Sequence, residues 1–153
     1  MKTLKNLSPN IPKDILEDFR YRVYTIGNFI IFPKGNGNSL NQDRGLSWSC
    51  VKDRFDLTLE CVRLYYGNKD NPLNTTLQRY KDFFDLFVDF KGYIDFFLLQ
   101  DMLTEDSKIK FLLRTGDFNE SPLPQTESEY IQYIENASDF IKARCKRISV
   151  NLG

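Results

Sequence analysis

The chain contains no histidine. That absence removes the Ser-His-Asp and Cys-His nucleophile arrangements, most zinc-ligand sets and the usual general base near neutral pH. Cysteine is scarce. Cys50, Cys61 and Cys145 are odd in number and lack CxxC spacing, which suits a reducing cytosol better than a disulfide framework. Neither sign of charge is in excess, with 21 basic and 21 acidic residues and a formal net charge of zero. A nonspecific nucleic-acid binder usually carries a basic excess, so nucleic acid is a partner the composition allows but does not favour. No long hydrophobic run exists either, because Asp and Lys recur through 81–101 and the N-terminal residues MKTLKNLSPN lack an apolar core. Neither a signal peptide nor a membrane partner is expected, and the expected location is cytoplasmic.

What the chain does have is aromatic side chains. Eight of the eighteen residues from Tyr80 to Phe97 are Phe or Tyr. At helical period Tyr80, Phe84, Phe87 and Val88 share one side, with Phe83, Leu86 and Phe90 beside them and Asp82, Asp85 and Asp89 opposite. A helix apolar over most of its circumference has to be covered from several directions, so this stretch reads as the centre of the core. Gly92 reads as its interruption, followed by a second apolar helix from Tyr93 to Leu99.

A chain of 153 residues is expected to form one domain. Residues 1–11 read as a loose arm, and Pro12 opens a short helix. Tyr21–Thr25 and Phe29–Phe32 are β-branched and aromatic runs separated by Gly27-Asn28, the pattern of a two-residue hairpin. Lys108–Leu113 is the candidate third strand. A helix is expected to begin near Lys52, with Asp53 and Asp56 in its first turn, and to close at Gly67. Thr126-x-x-Glu129 is a capping box ahead of the last helix, whose stripe is Tyr130, Ile134, Ala137, Ile141, Cys145 and Ile148. The fold class these elements predict is α+β: a predominantly helical single domain over 1–153, with a small antiparallel hairpin-based sheet packed on the helices.

Five features compete for function. The Gly35–Ser39 loop follows a strand-like run but lacks both the GK[ST] ending of a P-loop and a third glycine at dinucleotide spacing. Asp82, Asp85 and Asp89 would suit a hard cation, yet no second helix offers a matching carboxylate pair, so a solvated face and no metal are expected. Lys142, Arg144, Lys146 and Arg147 at the end of the last helix would suit a phosphate or nucleic acid, although the helix dipole accounts for them without a ligand. Cys145 lies among those cations, which would lower an exposed thiol's pKa, but no histidine is there to partner it. The polar segment 38–56 is the most suggestive. Asn38, Asn41, Gln42, Arg44, Trp48 and Arg54 crowd a loop before a helix start, and such loops carry function more often than the elements they join. Its structural alternative is that Arg44 and Arg54 bridge to Asp53, Asp56 or helix carbonyls and hold the loop down.

TIGNFIIFP, NSLNQDRG, DRFDLTLECVRLYY, NPL and FFDLFVDFKGYIDFFLLQD together resemble an uncharacterised bacterial family of small cytosolic proteins, also met in mobile-element and phage settings. The resemblance covers about residues 24–103, and GLSWSC at 45–50 departs from that family's shorter, lysine-rich link. It implies a bacterial or phage cytoplasm and supplies no catalytic residues.

The function expected is a non-catalytic intracellular protein-binding module using Asn38, Asn41, Gln42, Arg44, Trp48 and Arg54, without a cofactor. A regulator or inhibitor in defence or mobile-element biology is one form of it. The alternatives are a nucleotide- or RNA-binding protein or enzyme using loop 38–56, and a purely structural oligomer.

Overall fold

A computed structural model describes residues 10–35, 39–45, 51, 52, 54–114 and 116–152. Among them are seven α-helices and no β-strand. The helices are α1 (Lys13–Arg22), α2 (Leu40–Gly45), α3 (Phe55–Tyr66), α4 (Asn74–Arg79), α5 (Lys81–Asp85), α6 (Phe90–Phe97) and α7 (Glu127–Leu152). The chain divides into two compact units. One holds α1, the segment through Phe29, residues 112–114 and α7, and the other holds α2 to α6 and the chain around them. No helix among the described residues is long and apolar enough to cross a membrane.

The α+β expectation is therefore corrected to an all-helical fold. Tyr21 and Arg22 belong to α1 instead of a strand, where Arg22 pairs with Asp18 one turn back at 2.6 Å. Ile26–Asn28 is a single 3₁₀ turn, and the residues from Phe29 to Gly35 run without ladder partners. The glycine that suggested a hairpin is used for close approach. A Cβ on Gly27 would stand 2.4 Å from the Ile141 carbonyl oxygen and 2.7 Å from Cys145 Sγ. In place of the third strand the described residues have one isolated antiparallel bridge, Leu103 with Ile109. The arm expected over 1–11 lies outside the described residues except for Asn10 and Ile11, and Ile11 is buried.

In the second unit α3 buries Leu57, Leu59, Cys61 and Val62. It starts at Phe55 and ends with Asn68 in the left-handed region at φ 53°, the residue after Gly67. The aromatic stretch is two short helices, and the break falls at Leu86–Asp89, ahead of Gly92. Asp89 is extended and its Oδ1 accepts from the Gly92 N–H at 2.7 Å, capping α6. Gly92 itself lets the Phe87 carbonyl lie against the first turn of α6, since a Cβ there would come within 2.0 Å of that oxygen. This return brings the rings of α5 and α6 together. Phe87 meets Phe83, Tyr93 and Phe97 at centroid distances of 5.2, 5.3 and 5.3 Å, and Tyr93 meets Phe97 at 4.8 Å.

In the first unit α7 is the platform against which α1 and the 26–28 turn pack. The Thr126 Oγ1 accepts from the Glu129 N–H at 3.2 Å, and the Glu129 carboxylate reaches back to the Gln125 N–H at 2.7 Å, a near-relative of the capping box. Ile134, Ala137 and Ile141 are its buried apolar face.

Candidate interaction surface

The polar segment 38–56 folds inward where it is described. Arg54 is 4% exposed and forms a two-point ion pair with the fully buried Asp56, while its Nη1 donates to the Pro122 carbonyl at 3.2 Å. Arg44, 7% exposed, donates from Nε to Thr58 Oγ1 at 2.9 Å and from Nη1 to Asn41 Oδ1 at 3.1 Å, with its guanidinium 5.2 Å over the Phe32 ring. Thr58 relays this to the Arg54 carbonyl at 2.9 Å. Asp43 accepts from Thr76 and faces Arg79 at 3.7 Å. These bonds form a buried polar network that anchors α2 to α3 and α4, in which Asp43 Oδ1 is the one carboxylate oxygen buried without a hydrogen-bond partner among the described residues. Asn41 and Gln42 stay on the surface. Asn38 and Trp48 lie outside the described residues.

The cations of α7 divide. Arg144 is buried and donates from Nη1 to the Gly27 carbonyl at 2.9 Å and the Phe29 carbonyl at 2.8 Å. Beside it the Gly27 N–H donates to Cys145 Sγ at 3.2 Å. Lys142 and Lys146 are exposed and Arg147 is half-buried, and Lys142 Nζ lies 3.4 Å from Asp139. The structure thus spreads these four residues over different surroundings instead of gathering them.

A different surface stands out at the α5–α6 turn. Val88 is 87% exposed and Leu86 74% exposed, and Phe96 beside them is also largely in solvent. Val88 sits at φ 68°, the sole β-branched residue with positive φ among those described. The left-handed region crowds Cβ against the carbonyl and costs such a residue about 1–2 kcal/mol. The turn stands on firm ground, because Phe87 is buried between the two apolar tips and its ring packs on Phe96 at 5.1 Å. Four exposed carboxylates flank it, Asp82, Asp85, Asp89 and Asp95, against two lysines. Lys81 is tied to Asp85 and Lys91 to Asp95. The hydrogen bonds from Lys91 and then from Gln100 hold the Asp95 carboxyl below the ordinary range, so it stays ionised.

Sequence reasoning missed this turn because the helical period runs unbroken through Leu86 and Val88, which put both against the core. The available signal was Asp89, an N-cap residue type three positions before Gly92.

No curated protein and no solved structure matches the chain. Over residues 1–148 it matches a family described as a family of unknown function, DUF6994, and the chain belongs to that family.

Proposed function

We propose that the chain is a non-catalytic protein-binding module that docks through the Leu86–Asp89 turn and Phe96. The observation that carries this reading is the pairing of strain with exposure at Val88. A backbone held in a disfavoured conformation to present an apolar side chain to water lowers the stability of the isolated chain, and such strain clusters at functional sites. The rim of four carboxylates against two lysines gives the partner its chemistry: an apolar socket bordered by Lys or Arg. In a bacterial or phage cytoplasm such a module would act as a regulator or inhibitor of the protein it docks on.

The test places a photo-crosslinking amino acid at position 88 and, as a control, at exposed position 17 in cells of the native host. Position 88 should yield a protein adduct that position 17 does not, and Leu86→Asp should abolish it. An adduct removed by ribonuclease would overturn the reading in favour of RNA binding, as would the absence of any adduct from position 88. Val88→Gly supplies a second arm. Relieving the strain should stabilise the free protein by about 1 kcal/mol while weakening the complex, since glycine accepts positive φ but offers no side chain.

A further inference from the structure

Two regions of opposite sign lie behind the formal net charge of zero. One is the turn between α5 and α6. Lys81 and Lys91 are tied there to Asp85 and Asp95, which leaves Asp82 and Asp89 with no ion pair among the described residues. The other is in the first unit, where the end of α1 and the Ile26–Asn28 turn meet α7. Residues 19–28 and 140–152 carry Arg20, Arg22, Lys142, Arg144, Lys146 and Arg147 and no acidic residue. The Gly27 N–H donates to Cys145 Sγ at 3.2 Å, with Thr25 Oγ1 3.5 Å from the same sulfur, so this turn is seated on α7. Tyr21, Tyr24 and Ile26 are nevertheless 72%, 77% and 59% exposed. Tyrosine joins a large apolar ring to a polar tip, which is why it is enriched where proteins meet.

Each region carries what the other lacks. At the basic end Arg22 is tied to Asp18 and Lys142 to Asp139, while Arg20 and Lys146 are exposed and have no ion pair among the described residues. Two free carboxylates beside exposed Leu86, Val88 and Phe96 thus find their complement in two free cations beside exposed Tyr21, Tyr24 and Ile26. We infer that the surface on which the Leu86–Asp89 turn docks is the basic end of a second copy of this chain, a contact that rests on the reading of that turn as a docking surface. Turn against turn would set Asp82 and Asp89 against like charges, and end against end would do the same to Arg20 and Lys146. Only the head-to-tail arrangement pairs opposite charges while it covers the apolar side chains of both regions.

A phosphate backbone is the poorer occupant of the basic end. Arg22, Lys142, Arg144 and Arg147 already have partners within the chain, and two free cations are few for a polyanion. Self-association also has a consequence for regulation. In the free chain the turn is covered by another copy, and any other protein that takes the turn has to displace it.

The experiment is sedimentation equilibrium of the nuclease-treated full chain from about 10 μM to about 1 mM, the range in which small contacts form. Reversible self-association is expected. Leu86→Asp on the turn and Tyr24→Glu on the basic end should each leave a monomer, and an equal mixture of the two should recover a 1:1 pair, because each variant keeps the half the other has lost. Arg20→Glu together with Lys146→Glu should weaken self-association about tenfold or more. Thermal melts check that each variant folds; Val88→Gly replaces Leu86→Asp, and the double charge reversal replaces Tyr24→Glu, if either melts early. A wild type monomeric throughout the range would overturn the inference. So would self-association retained by either single variant, as a symmetric contact requires, or a mixture that stays monomeric. A monomeric pure chain whose position 88 still crosslinks a different protein in cells would remove the second copy and leave the docking reading standing.

Discussion

In the α2–α6 unit Phe83, Phe84, Phe87, Tyr93 and Phe97 meet ring against ring, with neighbouring centroids 4.8–6.5 Å apart. In the α1–α7 unit an aliphatic face, Ile134, Ala137 and Ile141, is joined by a polar clasp. Arg144 is buried to bond two main-chain carbonyls, Gly27 lies against α7 with no room for a methyl group, and α1 has no fully buried residue. The burial of ring surface is non-directional and tolerates small shifts, with ring geometry adding about 0.5–1.5 kcal/mol per pair beyond the buried area. A guanidinium clasp is directional and intolerant, because every donor removed from water must keep its acceptor. Around the rings stability follows the amount of surface buried, and around Gly27 it follows the precision of a few contacts.

The largest effect is expected at the centre of the aromatic unit. Phe87→Ala removes the ring that touches Phe83, Tyr93, Phe96 and Phe97 and should cost about 3–5 kcal/mol in urea melts. A loss under about 1 kcal/mol would mean the rings collapse freely around the gap and that packing there is not the main source of stability.

The clasp is sharpened by a smaller change. Gly27→Ala adds only a methyl group, yet it meets the Ile141 carbonyl at 2.4 Å, and main chain in a helix cannot retreat as a side-chain tip can. About 1–3 kcal/mol of destabilisation is expected, the range for overpacking. Gly67→Ala is the comparison, since its nearest contact is 3.4 Å. Equal stability in the two alanine variants would break the contrast between the units.

How much of this was legible in the sequence depends on the range over which each feature is decided. The capping of α7 by Thr126 and Glu129 and its buried face of Ile134, Ala137 and Ile141 follow from neighbours within two turns, and local pattern captures them. Gly27 does not, because its partner Cys145 is 118 residues away. Gly-Asn between two β-prone runs reads as a hairpin until α7 is known to occupy the space. Arg144 likewise looks like a cation placed for the helix dipole, whereas it reaches 117 residues back to the Gly27 carbonyl. Arg54 and Asp56 were within range, and the sequence reading of the polar loop did weigh that bridge. Val88 lay between these cases. One residue entering the left-handed region redirects everything after it, and helical periodicity is blind to a single turn of that kind.

The smallest effect concerns how the α7 N-terminus responds to acid. Glu129 accepts two hydrogen bonds from Arg114, at 2.6 and 2.9 Å, and one from the Gln125 N–H. The Arg114 guanidinium first, and then that backbone N–H, hold its carboxyl down from 4.5 to about 2. A carboxyl whose folded pKa is depressed favours the folded state above its unfolded value, and that contribution is lost as pH falls through the folded one. The stabilisation should therefore be whole above about pH 5 and gone near pH 2, with its decline between. Both side chains are partly in water, so screening reduces the contribution to about 1 kcal/mol. Other carboxyls, Asp18 and Asp95 among them, also titrate low, which makes the raw acid limb of the wild type uninformative by itself. The quantity to measure is the difference in unfolding free energy between wild type and Glu129→Gln across that window. It should shrink toward zero as pH falls, and Arg114→Met should remove most of its pH dependence. A difference constant from pH 6 to pH 2 would mean that Glu129 acts at this helix start through its side-chain shape, as glutamine can, and that its charge contributes nothing.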